Sequence, residues 1–410
     1  MQKKLLELKE EADRGSLLRH KVLPALAYPL DPEGAYLFYY SGKLYGWYTL
    51  SWKKGGELHL KKHRGKPVFY YRPAGSPLEF GPSEKKKIFA IFRSENLPPR
   101  ETALRILRDP EGKADSRRRF RVEWSSPQSP ALGGCHEVIL DECLESTLSE
   151  QLSRRPTTYS MKPLQELGEK LYQTFFPEYL RPVLETSDRI RYLSDGFFPL
   201  SLFRNGHFWG EKKIIFSHRR MARPAKTRSR DLSLFLSGAE TDEAMRNEYH
   251  KLGKMLVHSR HPLCEMEGRF GKEHLALALE RSWGLHYIGH GRSEHGESGL
   301  LLGDGSLFGV EDLRRVRRVP QILFLSSCRG AEDLGEWEKC FFEKGGRTLI
   351  RHRGAMPSEA MVTLASSFYW QWMVRRTTAG RALLGARRKC LGPDLNWAFL
   401  ELVGDPDLKL

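Results

Sequence analysis

The 410-residue chain is 40% apolar, 11% aromatic and 29% charged, a composition that excludes disorder over most of its length and supplies one large core or two smaller ones. Its net charge of +16, from 67 Lys and Arg against 51 Asp and Glu, points to an acidic partner, to nucleic acid or to solubility alone. No apolar run approaches the roughly 20 residues that cross a bilayer, and Met1-Gln2-Lys3-Lys4 opens without a signal peptide's apolar stretch, so a cytoplasmic protein that avoids membranes is expected.

In chain order, residues 2–14 read as a short charged helix. From 36 to 71, closely spaced Tyr, Phe, Trp and Leu between Gly-containing turns predict antiparallel strands. A strand is expected at 88–92, a helical turn or two at 100–107, a charged segment at 109–121 and a Pro- and Gly-rich loop at 125–134. Residues 51–121 hold 19 Lys and Arg against 8 Asp and Glu, about two thirds of the chain's whole surplus. The shift in texture divides the chain into a basic, β-rich domain at 1–155 and a second domain at 156–410.

Beyond residue 160 strands and helices alternate. Strands are predicted at 232–236, 285–288, 321–325, 348–350 and 397–403, and helices at 240–257, 272–279, 310–316, 336–342, 358–374 and 381–390. This order implies βαβ crossovers and a mostly parallel sheet flanked by helices, preceded by a smaller β-rich α+β domain. In such sheets chemistry collects at the carboxyl ends of the strands.

Two of those ends carry a reactive pair. One strand closes with Ile288-Gly289-His290-Gly291, another with Leu325-Ser326-Ser327-Cys328-Arg329-Gly330. A free thiol is mostly protonated at neutral pH, so a nucleophilic Cys needs an imidazole to take its proton. His290 and Cys328 suit those roles, and the backbone N–H groups of Gly291 and Cys328 suit an oxyanion hole. The other cysteines, Cys135, Cys143, Cys264, Cys340 and Cys390, form no Cys-x-x-Cys pair and read as reduced, buried thiols. His286 and His295 read as structural, because neither they nor the Cys135-His136 and Cys143 cluster completes a zinc ligand set; no metal or cofactor is expected.

Ser-Ser-Cys-Arg-Gly after an apolar strand, with a His upstream, resembles the Gln-Ala-Cys-x-Gly signature of caspases. The resemblance is closer to CHAT peptidases, caspase-like bacterial proteins related to separase. The landmarks are a Leu-Gly-x-x-Leu-Tyr helix at 167–172, a Pro-x-x-Leu segment at 198–202, the His-Gly loop at 289–291, a Gly-containing hairpin at 300–307, Leu-Ser-x-Cys at 325–328 and, in place of the family's Trp-Ala-x-Phe, the one-residue-shorter Trp-Ala-Phe at 397–399. Together they span roughly residues 160–404. The resemblance implies a caspase-like α/β fold and a cysteine endopeptidase, with His290 as general base and Cys328 as nucleophile. This chain departs from the pattern at Arg351-His352-Arg353, where apolar residues and Trp are expected, and at Ser326, where metacaspases carry an acidic residue. A basic P1 preference does not carry over, which leaves Asp304 and Asp333 as candidates for lining the substrate pocket.

The expected function is cleavage of a protein partner in a bacterial defence or regulated-proteolysis pathway, switched on by a partner or ligand. The rival reading is a catalytically idle CHAT-like adaptor for protein or nucleic acid, with Lys85-Lys86-Lys87 and Arg117-Arg118-Arg119 among aromatics as the nucleic-acid surface. Cysteine acyl transfer to a small substrate is a third option.

Overall fold

The computed structural model describes residues 35–40, 43–52, 58–62, 100–108, 119–126, 133–140, 144, 161–178, 180–194, 200–217, 231–238, 241–258, 262–294, 297–328, 335–352, 358–392 and 396–410. The elements expected at 2–14, 68–71 and 88–92 lie outside these residues, as do Lys85-Lys86-Lys87, Cys143, His295 and Asp333. The chain divides into two compact units, one within residues 1–141 and 174–190, the other within 142–173 and 191–410.

In the first unit, β1 (Ala35–Tyr40), β2 (Lys43–Trp52) and β3 (Leu58–Lys62) form the antiparallel meander that the aromatic spacing predicts. A second antiparallel set follows, of β4 (Glu101–Arg108), β5 (Arg119–Ser125) and β6 (Gly133–Ile139). Two expectations are corrected here. Residues 101–108 are a strand, not helical turns, and the end of the charged segment at 119–121 and both ends of the loop, at 125 and 133–134, belong to strands.

Residues 101–106 are all buried, on both faces of the strand, so no two-residue alternation marks it, and Glu101, Thr102 and Arg105 interrupt the apolar run by which other strands buried on both faces are recognised. Its charged residues are neutralised inside the unit: Glu101 binds Arg189 at 2.9 Å, and Glu123 binds Arg105 at 3.3 Å and Arg121 at 2.9 Å. Helix α1 (Met161–Phe175) ends in this unit, where the Phe175 carbonyl lies 2.7 Å from the His136 Nε2. Helix α2 (Arg181–Thr186) and β7 (Arg189–Ser194) lead onward.

The second unit continues through the hairpin β8 (Arg204–Asn205) and β9 (His207–Phe208), α3 (Trp209–Lys212) and β10 (Ile214–Ser217). The alternating part then runs β11 (Leu232–Ser237), α4 (Glu243–His258), β12 (Leu263–Gly268), α5 (Lys272–Arg281) and β13 (Gly284–Glu294). After β14 (Glu297–Leu301) and β15 (Leu307–Phe308) come α6 (Val310–Arg315), β16 (Ile322–Cys328), α7 (Gly335–Glu343) and β17 (Thr348–His352). Helix α8 (Ser358–Tyr369) passes into a π-turn at Trp370–Val374, followed by α9 (Ala379–Lys389), α10 (Asn396–Phe399) and β18 (Leu400–Gly404).

Strand order in this unit is β12-β11-β13-β16-β17-β18-β10. Every neighbouring pair is parallel except β17 with β18, as the strand–helix alternation predicts. The expected strand at 397–403 begins only at Leu400, because 396–399 wind into a helical turn. The strand β12 has no counterpart in the sequence reading; its pattern Leu-Cys-Glu-Met-Glu-Gly is half polar.

Both faces of the sheet are covered, which explains the continuous apolar runs of its inner strands. On one face Leu234, Ile288, Phe324 and Ile350 pack with Leu252 of α4, Phe368 of α8 and Leu383 of α9. On the other, Phe235, Leu285, Tyr287, Leu323 and Leu349 pack with Leu275 of α5, Leu313 of α6 and Trp337 of α7. The helix landmark at 167–172 has a packing role of its own: a Cβ on Gly168 would sit 2.3 Å from the carbonyl oxygen of Leu202, so glycine lets α1 close on the turn at Leu200–Leu202.

Candidate active site

The strands β13 and β16 run parallel and pair residue for residue, from Gly284 with Ile322 to His290 with Cys328. Adjacent strands lie about 4.8 Å apart. The two positions singled out in the sequence, 38 residues apart in the chain, are therefore direct neighbours at the carboxyl ends of adjacent strands. Positions paired across parallel strands belong to the same face, and the ring stack of His286 on its partner Phe324, centroids 4.5 Å apart, shows which face this row occupies. It is the face packed against α4 and α8.

The strand β13 outruns the sheet, and His290 stands at the changeover. Up to Ile288 its neighbour on one side is β11, and from His290 onward that side pairs antiparallel with β14, His290 opposite Leu301 and Gly291 opposite Leu300. The joint is spliced by two hydroxyls on one carbonyl: Ser237, the last residue of β11, donates to Leu301 O at 2.8 Å and Tyr287 donates to it at 2.6 Å. The Tyr287 hydroxyl also lies 3.2 Å from the carbonyl of His290. Complete burial pushes the ionisation of Tyr287 far up, against the opposing hydrogen bond with Ser237, so it stays a donor. Room for that hydroxyl comes from Gly289, where a Cβ would lie 2.5 Å from it. The glycine before the histidine, part of the His-Gly loop in the sequence, thus has a steric role of its own.

Beneath the pair, deeper in the sheet, lies a buried polar cluster. His286 Nε2 meets the Glu248 Oε1 of α4 at 3.0 Å, and its Nδ1 meets the Tyr369 hydroxyl of α8 at 3.1 Å. Ser326 donates to the other carboxylate oxygen of Glu248 at 2.8 Å. His286 is thus a hydrogen-bonded core residue. The position where metacaspases carry an acid is a serine here, and an acid reaches it from a helix. Glu248 lies on the helical stripe of Met245, Tyr249, Leu252 and Leu256, three residues after the first and four before Leu252, so spacing alone sets it apart from the exposed Glu243; what the sequence does not show is which strands it meets.

The other predicted residues are more dispersed. Asp304, in the turn between β14 and β15, is exposed and accepts from the Ser306 N–H at 2.9 Å and hydroxyl at 2.6 Å, which hold its carboxyl below the usual range. It abuts Gly271 beside the end of β12, and β12 is three strands away from β16. Arg351 is engaged by Glu338 at 2.6 Å and Glu401 at 3.1 Å, and His352 is buried 6.0 Å from the Phe399 ring centroid.

Among the described cysteine side chains, Cys135, Cys264, Cys340 and Cys390 are thiols outside any disulfide. Burial, offset in part by Arg121, pushes the Cys135 thiol up to about 11, and burial also raises that of Cys340, so both are poor nucleophiles at neutral pH. Among the described residues no group of three or more His, Cys, Asp and Glu side chains is arranged to hold a metal ion, and no helix is long and apolar enough to cross a membrane.

Comparison with known proteins agrees with this architecture. No curated protein matches the chain in sequence. The fold is similar to a chain in the crystal structure of the Saccharomyces cerevisiae separase–securin complex at 3.0 Å resolution, with a TM-score of 0.53 and 10% identity, over 78% of this chain and 31% of that one. A second crystal structure of that complex, at 2.6 Å, has a TM-score of 0.47 at the same identity and coverage. This chain thus spans under a third of the length of the separase-complex chain it resembles. A family model, the CHAT domain, matches residues 165–405, more than half of the sequence and the whole of the alternating sheet. The chain belongs to the CHAT domain family and has the caspase-like protease fold found in separase.

Proposed function

We propose that this chain is a cysteine endopeptidase in which His290 and Cys328 form the catalytic dyad. The observation that carries this reading is the pairing of those two positions at the carboxyl ends of neighbouring strands. Cys328 gives its proton to His290 as the sulfur attacks the carbonyl carbon of a peptide bond. The backbone N–H groups of Gly291 and Cys328 stabilise the oxyanion, each worth about 10²- to 10³-fold in rate. The C–N bond breaks, His290 protonates the leaving amine, and water attacks the thioester to release the acid and restore the thiol.

The substrate is a protein, and cleavage belongs to a bacterial defence or regulated-proteolysis pathway in the cytoplasm. Unregulated cleavage there is toxic, so a partner or ligand releases the activity. In this reading residues 156–410 are the peptidase and residues 1–155 sense the signal or recruit substrate, with their positive charge available for nucleic acid.

The test is to incubate the protein with lysate or with its neighbouring gene products and to map new protein termini by mass spectrometry. New termini that vanish in Cys328→Ala and His290→Ala support the reading. Cleavage that survives both substitutions overturns it.

A further inference from the structure

A single buried carboxylate ties together the two strands that carry the proposed dyad. Glu248 binds His286, four residues before His290 on β13, and Ser326, two residues before Cys328 on β16. By the rise of a strand these anchors sit about 13 Å and 7 Å below the paired ends, on the same face as His290 and Cys328. We propose that Glu248 is a positioning residue that holds these two strand ends in the register and spacing the His290–Cys328 pair needs; this rests on the proposed peptidase reading.

Burial is the first argument. Glu248 and His286 are each 1% exposed and Ser326 6%, and groups of this kind lose hydration that apolar side chains of similar volume would not forfeit. A core built for stability alone would use Leu and Phe here, as the neighbouring Ile288, Phe324 and Phe368 do. Hydrogen bonds fix direction and distance where apolar contacts only fill space.

Completeness is the second. The Tyr369 hydroxyl is kept protonated by complete burial, with the charge of Glu248 adding to that effect. Donating to His286 Nδ1, it leaves the Nε2–H for Glu248 Oε1, while the Ser326 O–H takes Oε2. Under this assignment each of the four side chains has a partner, and the carboxylate cannot rotate without breaking a bond to one strand or the other.

The third argument is the source of the tether. Glu248 comes from α4, which connects β11 to β12 and belongs to neither strand of the pair. Both strand ends are therefore referenced to one outside point.

The test reads Cys328 directly, by peptide-resolved alkylation with iodoacetamide across pH 5.5–9, in wild type, His290→Ala, Glu248→Gln and Ser326→Ala. Near-UV circular dichroism confirms that each variant is folded, and Ser326→Ala serves if Glu248→Gln is not. In wild type, Cys328 should outpace the exposed Cys264 and lose that advantage in His290→Ala. A misplacement of about 1 Å lowers reactivity by up to about 10²-fold, so Glu248→Gln and Ser326→Ala should each slow Cys328 by 10-fold or more, shift its pH profile and leave Cys264 unchanged. The double variant should be no slower than the worse single one, because both break the same tether. If folded Glu248→Gln and Ser326→Ala keep the wild-type rate and profile, the positioning role is wrong while the dyad stands. If wild-type Cys328 reacts no faster than Cys264, or reacts independently of His290, the dyad itself is wrong.

Discussion

Gly289→Ala adds one methyl group at the residue before His290, and its effect follows from three distances. The new Cβ would lie 2.5 Å from the Tyr287 hydroxyl oxygen, 2.8 Å from its Cζ and 2.9 Å from the Cβ of Ser237. Tyr287 cannot swing aside, being fully buried, stacked on Phe235 at 6.0 Å and bonded to the Leu301 carbonyl. Forcing a methyl into such a core costs about 1–3 kcal/mol, and a lost Leu301 bond adds about 1 kcal/mol. The sum, about 2–4 kcal/mol, lowers the midpoint of a unit this size by about 5–15 °C.

Calorimetry of wild type, Gly289→Ala, Tyr287→Phe and the double variant measures it. Phenylalanine removes the atom at 2.5 Å but leaves the contacts at 2.8 and 2.9 Å. The alanine should therefore cost less in the Phe background, by about 1 kcal/mol of coupling. A midpoint for Gly289→Ala within about 1 °C of wild type, or an equal penalty in both backgrounds, would refute the steric account of why glycine stands here.

Arg351→Met removes the cation between Glu338 and Glu401, both buried. It should cost about 3–5 kcal/mol by urea titration, and adding Glu338→Met should recover part of the loss by removing one stranded carboxylate. Burial holds the ionisation of His136 below its ordinary 6.5, against the opposing hydrogen bond to the Phe175 carbonyl. The imidazole thus folds neutral, and its stabilisation is complete above about pH 6.5 and declines as pH falls toward the lowered folded value. His136→Gln should flatten the pH dependence of the first unit's urea midpoint between pH 5 and 7; an unchanged slope would show that other groups set it.

The alternating elements of the second unit could be read from local signals. Strands such as 232–236 and 321–325 are short apolar runs between polar turns, and α4 repeats Met245, Tyr249, Leu252 and Leu256 at helical spacing. The glycines and the His and Cys at two strand ends were visible for the same reason. Where a segment buried on both faces also carries polar residues, as 101–106 does with Glu101, Thr102 and Arg105, neither an alternation nor an apolar run marks it and local reading fails. The half-polar β12 was missed because its partner β11 supplies what its own residues do not.

Contacts between distant parts of the chain were beyond local reading altogether. A sequence shows that His290 and Cys328 each follow an apolar strand, but strand order and register come from packing helices on both faces of the sheet, a collective result that no window of residues contains. The same holds for Glu248. Its helix, its burial and its face are local properties, whereas its choice of His286 and Ser326 as partners arises only once α4 is laid across β13 and β16, because a hydrogen bond depends on separation in space and not along the chain.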